Sequence, residues 1–377
     1  MTGHLAFTAA TDLPRDWRVG RFLGRLEHDG AVIPVLVAQG VVHDMSMVAP
    51  TVSLLVEAGA FAGGRALGAL DAVLGAGARP LSPIDLQCVK ACGVTFATSA
   101  VERVIEERAR GDAGAAVAFR ARLEERIGGS IRAVVPGSAD AADLKAALIE
   151  EGVWSQYLEV AIGPDAEVFT KAPVLSTVGW GAEIGVRSDS SWNNPEPEIV
   201  LIVAPDGAPI GATLGNDVNL RDFEGRSALL LGKAKDNNAS CALGPLIRLF
   251  DAEFTMDDVR DAQLSLLIEG EDGYRLDGAS SMREISRDPL DLIGQTLSEH
   301  QYPDGFALFL GTLFAPTQDR DEPGRGFTHK VGDVVTIASD RLGTLVNRVV
   351  HSRDAAPWTV GIGATMRDLV ARGMIRS

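Results

Sequence analysis

Asn193-Asn194-Pro195-Glu196-Pro197-Glu198-Ile199-Val200-Leu201-Ile202-Val203 is the stretch on which the fold turns. Its second half is apolar and β-branched, the composition of a strand. Pro197 cannot donate to a sheet ladder, so Glu196 and Glu198 belong at the strand's beginning or on an edge. Side chains alternate faces along a strand, and two carboxylates two residues apart therefore share one side. A third acid, Asp217, follows in Gly215-Asn216-Asp217-Val218-Asn219-Leu220-Arg221-Asp222, read as arriving from a Gly-Asn turn. Together these carboxylates would form an all-oxygen cage for a hard divalent cation. Taken singly, a Glu-x-Glu pair is an exposed strand face and Asp217 a turn former.

The lysines add weight to the first reading. Only six occur in the 377 residues, in a chain that otherwise prefers arginine. Lys233 and Lys235 follow a leucine run in Leu229-Leu230-Leu231-Gly232-Lys233-Ala234-Lys235-Asp236-Asn237-Asn238, and Lys171 follows Glu167-Val168-Phe169-Thr170. A lysine closing an apolar strand is either a solvated strand end or a cation facing a pocket.

Further out, composition bounds the class. With 46% hydrophobic and 23% charged residues the chain reads as soluble and globular, with one to three domains. A net charge of −16 argues against nucleic acid or an anionic membrane surface as partner, since both reward basic patches. The opening Met1-Thr2-Gly3-His4 shows no basic-then-apolar leader, and no apolar run reaches the roughly 18 residues of a membrane span. Cys88, Cys92 and Cys241 give an odd count with no disulfide framework or zinc spacing, so a reducing cytoplasm is expected.

Pattern predicts strands over Val19–Leu26, Ala31–Ala38 after an Asp29-Gly30 turn, and Val41–Met45. Helix is expected over Thr51–Leu74 with a break at Gly63-Gly64, over Val101–Arg110 behind a Ser99/Glu102 capping box, over Ala115–Ile127 and over Ala139–Glu151. Beyond Gly163-Pro164 strands are expected at Val168–Thr170, Glu183–Arg187, Ile199–Ala204, Ala228–Leu231, Ala262–Glu269, Phe306–Leu310 and Val334–Ile337, with short helices at Pro245–Leu249 and Asp288–Glu299. The boundary falls near residue 155: a smaller α+β domain over 1–155, then a mainly β part over 156–377.

In this order and spacing the motifs resemble the fumarylacetoacetate hydrolase superfamily. The resemblance runs from Glu167 to Asn347: Phe169-Thr-Lys171-Ala-Pro173, Glu196-Pro-Glu198-Ile-Val-Leu201, Gly215-Asn-Asp217, Gly232-Lys-Ala-Lys235-Asp-Asn-Asn238, Leu310-Gly-Thr312-Leu-Phe314 and Val331-Gly-Asp333-Val-Val-Thr-Ile337. It implies an α+β fold, a mixed β-sandwich or roll with the metal at its open end, and a homodimer or homotetramer. It also implies that Glu196, Glu198 and Asp217 bind Mg²⁺, with Mn²⁺ or Ca²⁺ as alternatives. Lys171 and Lys235 would line the same pocket, and Thr312 would contact substrate.

The residue types suit an α-keto acid partner, which chelates a divalent ion through its carboxylate and C2 carbonyl. The lysines offset the excess of negative charge; buried, either could acquire a lowered pKa and act as acid or base. Glu167, four residues before Lys171 on the same strand face, is a further acid–base candidate. Lys233, Asn238, Ser281 and His329 are candidate substrate contacts, with His300, Asp319 and Arg320 as other polar loop residues. The Asn-Pro-Glu-Pro-Glu signature resembles the sugar-acid dehydratase branch, which implies loss of water from a 2-keto-3-deoxypentonate to give 2-oxoglutarate semialdehyde. The alternative is a hydrolase of acylpyruvates or diketo acids on the same metal site. No histidine has a glutamate three residues on, which departs from the His-x-x-Glu pair of several family hydrolases.

Overall fold

A computed structural model describes residues 7–110, 112–116, 129–312, 314, 316, 318–323 and 326–375. The amino-terminal strands β1 (Arg21–His28), β2 (Ala31–Ala38), β3 (Val41–Asp44) and β4 (Arg65–Ala69) form an antiparallel meander. The turn between β1 and β2 is the expected Asp29-Gly30, with positive φ at both residues, the conformation a two-residue hairpin loop demands. β5 (Arg79–Pro80) and β6 (Cys88–Gly93) follow, then helices Ala97–Arg108, Ala139–Glu150 and Gln156–Ile162. Later come β7 (Glu167–Ala172), β8 (Glu183–Val186), β9 (Asn193–Asn194), β10 (Pro197–Val203), β11 (Pro209–Asp217), β12 (Asn219–Leu220) and β13 (Cys241–Leu249). β14 (Gln263–Glu269), β15 (Arg275–Ser281), β16 (Phe306–Phe309), β17 (Val334–Ser339) and β18 (Gly343–His351) complete the strands.

The large mixed sheet runs β4-β3-β2-β1-β13-β11-β10-β16-β6-β7, with β5 also on β1. It crosses residue 155: β1 pairs with β13, and β6 pairs in parallel with β16. A second sheet, β15-β14-β17-β18-β8, packs on one face of the first. β10 is buried at every position because both its faces are covered. Ile199, Leu201 and Val203 join Leu264, Leu266, Ile337 and Leu345 of the second sheet. Val200 and Ile202 turn the other way, toward Leu243, Ile247, Phe309 and Val52. The helices form a separate core through Val101, Val104, Ile105, Leu148 and Leu158, with Trp192.

Several elements depart from expectation. Ala228–Leu231 is not a strand but a 3₁₀ turn, Ala228–Leu230, entering helix Leu231–Lys235. Pro245–Leu249 is not a helix but the second half of β13, because β1 and β11 supply ladder partners on its two sides. Within Thr51–Leu74 the edge strand β4 separates helix Val52–Glu57 from helix Leu70–Gly75. Asp217 ends β11 rather than sitting in a turn. The Ser99/Glu102 capping box does not form. The helix begins earlier, at Ala97; Ser99 Oγ donates to the Thr312 carbonyl, and Glu102 pairs with Arg221. The helix expected over Ala115–Ile127 lies outside the described residues beyond 116. All three cysteines are free thiols, and no described helix is long and apolar enough to cross a membrane.

Candidate active site

Antiparallel pairing of β10 with β11 sets Glu198 opposite Gly215 and Pro197 opposite Asn216. Just beyond, the Asp217 amide donates to the Glu196 carbonyl at 3.0 Å. This register gathers the three carboxylates: oxygens from Glu196, Glu198 and Asp217 lie within 4.8 Å of one another, all on buried residues.

Protein cations surround two of the three acids. Lys171, 0% exposed, places Nζ 2.8 Å from Asp217 Oδ1 and also donates to the Lys235 and Val218 carbonyls. Lys235 Nζ lies 2.5 Å from Glu196 Oε2 and 3.0 Å from Asp217 Oδ2. Arg103 Nη2 meets Glu196 Oε1 at 2.8 Å. Among the described residues no ion pair reaches Glu198, which accepts from the Gly311 amide at 2.7 Å.

Electrostatics follow from that arrangement. Burial, then repulsion from Asp217 and Glu196, drives the Glu198 carboxyl well above the usual range. Burial also raises Asp217, but Lys171 and Lys235 outweigh it and hold this carboxyl low. For Lys235 burial acts downward, and the carboxylates of Asp217, Glu196 and Glu224 more than reverse it. The expectation of a lowered lysine pKa is thus overturned for Lys235, because its acidic neighbours outweigh desolvation. Burial lifts Glu224 to about 7 against the pull of Arg103 and Lys235. It also raises Glu167, with Arg103 and Lys235 opposing.

The donor set fits a hard divalent ion: three buried oxygen acids, one of them with no ion-pair partner among the described residues. The Asn194 and Asn219 side-chain oxygens, also in the pocket wall, are buried with no hydrogen-bond partner among the described residues. Glu167 of β7, also in the pocket wall, is paired with Gly93 of β6. A Cβ at Gly93 would fall 2.0 Å from Glu167 Oε2, so only glycine leaves room for that carboxylate.

Residues 148–350 match the family model of the fumarylacetoacetate (FAA) hydrolase C-terminal domain. The chain belongs to this family. It is 32% identical over 203 residues to a probable 2-keto-3-deoxyxylonate dehydratase of Haloferax volcanii, a match covering 53% of this chain and 65% of that one. It is 31% identical over 190 residues to a 2-dehydro-3-deoxy-D-arabinonate dehydratase of Saccharolobus solfataricus, covering 50% and 59%. The match thus spans less than two thirds of either curated relative. A solved structure of 2-keto-3-deoxy-D-arabinonate dehydratase complexed with magnesium and 2,5-dioxopentanoate superposes with a TM-score of 0.62 over 88% of this chain and 99% of that one. At 22% identity this likeness concerns the fold, that of the fumarylacetoacetate hydrolase family.

Within that fold, Thr312 lines the pocket beside the acids, its Oγ1 donating to the Pro197 carbonyl at 3.1 Å. Four other candidates stand elsewhere. Lys233 and Lys235 sit on a helix, where two residues turn the side chain by roughly 200°; Lys235 goes in, and Lys233 goes out to lie 5.1 Å over the Phe223 ring. Asn238 is tied to the Ser352 and Ala356 carbonyls. Ser281 ends β15 at the rim of the second sheet, accepting from Gln263 at 2.7 Å. His329 is buried against Asp333, its Nδ1 3.2 Å from a carboxylate that Arg320 clamps at 2.6 and 2.8 Å. Of the loop residues, His300 stacks on Tyr302, and Asp319 accepts from the Gly326 amide.

Sequence reasoning missed the wall supplied by helix Ala97–Arg108. Glu102, Arg103 and Glu106 all line the pocket, and Arg221 bridges Glu102 at 2.8 Å and Glu106 at 2.6 Å. A signal existed: Glu102 and Glu106 stand one turn apart among Ala100, Val101, Val104 and Ile105, so their face is enclosed rather than solvated. Glu224 and Asn219 carried none, and Asn194 stood out only as part of the Asn-Pro-Glu-Pro-Glu signature.

Proposed function

We propose that this family member dehydrates a 2-keto-3-deoxypentonate, such as 2-keto-3-deoxy-D-xylonate or -arabinonate, to 2-oxoglutarate semialdehyde, with Mg²⁺ held by Glu196, Glu198 and Asp217. The observation that carries this reading is the buried acid triad with one carboxylate left unpaired by any described cation. The sequence likeness to two dehydratases of such acids supports the substrate class. A bound Mg²⁺ supplies Lewis acidity toward the carboxylate and C2 carbonyl of an α-keto acid, which acidifies C3–H.

The chain's own residues account for the rest. Lys171 and Lys235 orient Asp217 and Glu196 and offset their charge. Glu167, raised by burial, is the stronger base when ionised, and takes a proton from C3. The C3–H electron pair becomes the C3–C4 double bond as the C4 hydroxyl departs, receiving that proton to leave as water. A proton shift from C5 to C3 then gives the C4–C5 enol, and transfer of the C5 hydroxyl proton to C4 gives the terminal aldehyde. Among the described residues no histidine lines the pocket, a feature that weighs against a hydrolase using a His/Glu pair to activate water.

Incubation with Mg²⁺ and a 2-keto-3-deoxypentonate is expected to yield 2-oxoglutarate semialdehyde, and EDTA to stop it. Turnover undiminished in excess chelator sinks the metal assignment. Cleavage of an acylpyruvate into two fragments, with the pentonate untouched, sinks the dehydratase reading.

A further inference from the structure

Arg103 is a pocket cation in contact with the acid triad to which the proposed chemistry gives no task. It is carried by helix Ala97–Arg108, outside the span that matches the family model. Its guanidinium divides its donors. Nη1 serves Glu106 Oε2 at 2.8 Å and the Glu224 carboxylate, while Nη2 serves Glu196 Oε1 at 2.8 Å. Lys235 holds the other oxygen of that carboxylate, Oε2, at 2.5 Å. Both oxygens of Glu196 are therefore taken by protein cations, although Glu196 belongs to the triad.

We propose, on the reading that this triad binds a divalent ion, that Arg103 is a positioning residue for metal loading: its Nη2 and the ion compete for Glu196 Oε1. The exchange is local. Nη1 stays with Glu106 and Glu224 while Nη2 lets go, so the helix need not move. Its anchor is rigid, because Arg221 Nε fixes the other oxygen of Glu106 at 2.6 Å and the Arg221 guanidinium lies 4.3 Å over the Trp192 ring. Arg103 thus holds Glu196 in place before loading and sets a threshold that an ion must exceed. Lys235 makes a poorer probe of this competition, since it also serves Asp217.

The test is Mn²⁺ affinity, measured by calorimetry and by the electron paramagnetic resonance of free Mn²⁺, for wild type, R103Q and R103K. R103Q removes the competitor and is expected to bind Mn²⁺ roughly tenfold more tightly, the scale of one charge-assisted hydrogen bond. R103K keeps the charge but loses the planar fork, and is expected to fall between R103Q and wild type. A purely structural role for Arg103 predicts weaker binding in both variants. R103Q that binds no more tightly than wild type, with an unchanged circular dichroism spectrum, overturns the proposal. If R103Q fails to fold, R103K decides alone, and binding no tighter than wild type overturns it. Wild-type protein that binds no Mn²⁺ overturns the metal reading and this inference with it, a result distinct from a variant that merely matches wild type.

Discussion

Gly93 is useful for the side chain it lacks. A methyl group there would fall 2.0 Å from Glu167 Oε2, so Gly93→Ala is expected to turn the carboxylate aside. Misplacement on that scale costs turnover about 10²-fold. Glu167→Gln, which removes the base itself, is expected to cost roughly 10²- to 10⁴-fold. Steady-state kcat checks both, and a Gly93→Ala enzyme within a factor of two of wild type would detach Glu167 from the chemistry. His329 lends itself to a different measurement. Burial holds its pKa below 6.5, against the pull of Asp333. The unfolded chain therefore takes up a proton near pH 6.5 that the folded chain refuses until lower pH, and stability falls as pH drops through 6.5. The melting temperature should show that slope in wild type and lose it in His329→Gln; an unchanged slope would place the responsible group elsewhere. At this scale the acids were legible because residue type and spacing alone put Glu196 and Glu198 on one strand face. Arg103 and Glu224 were not, since nothing local shows that a remote helix and the short helix Arg221–Glu224 close over those acids.

Elements decide which of two similar residues reaches the site. Lys233 and Lys235 would share a face on a strand, but on helix Leu231–Lys235 they diverge, and only Lys235 is buried. Lys235→Met leaves Glu196 and Asp217 without that cation and should cost about 3–5 kcal/mol in urea unfolding. Lys233→Met, on the surface, should stay within about 0.5 kcal/mol. Equal effects would contradict the helical geometry. The same logic separates elements that sequence could place from those it could not. β10 was legible because a β-branched run opening on Pro197 leaves few alternatives. β13 was misread at Pro245–Leu249, since a short apolar run buried on all sides has the same composition in either conformation. What settled it was the ladder positions on β1 and β11, which are set by pairing over long sequence separations.

For the whole molecule, the large sheet does not respect the boundary expected near residue 155. Removing residues 1–155 would strip β1 from β13 and β6 from both β16 and β7. It would also take away the carboxylate partners of Arg221, Glu102 and Glu106. A fragment of residues 156–377 is therefore expected to be insoluble, or soluble without Mn²⁺ binding, by size-exclusion chromatography and calorimetry; a folded, metal-binding fragment would show that the carboxyl-terminal part is autonomous. The pairing of β6 with β16, far apart in the same chain, has a further consequence during synthesis. A nascent chain emerging from the ribosome presents β6 long before β16 exists, with its backbone donors open to any other extended peptide. During the interval between the two that edge stays open to aggregation, and slower translation of the carboxyl-terminal half would lengthen the exposure.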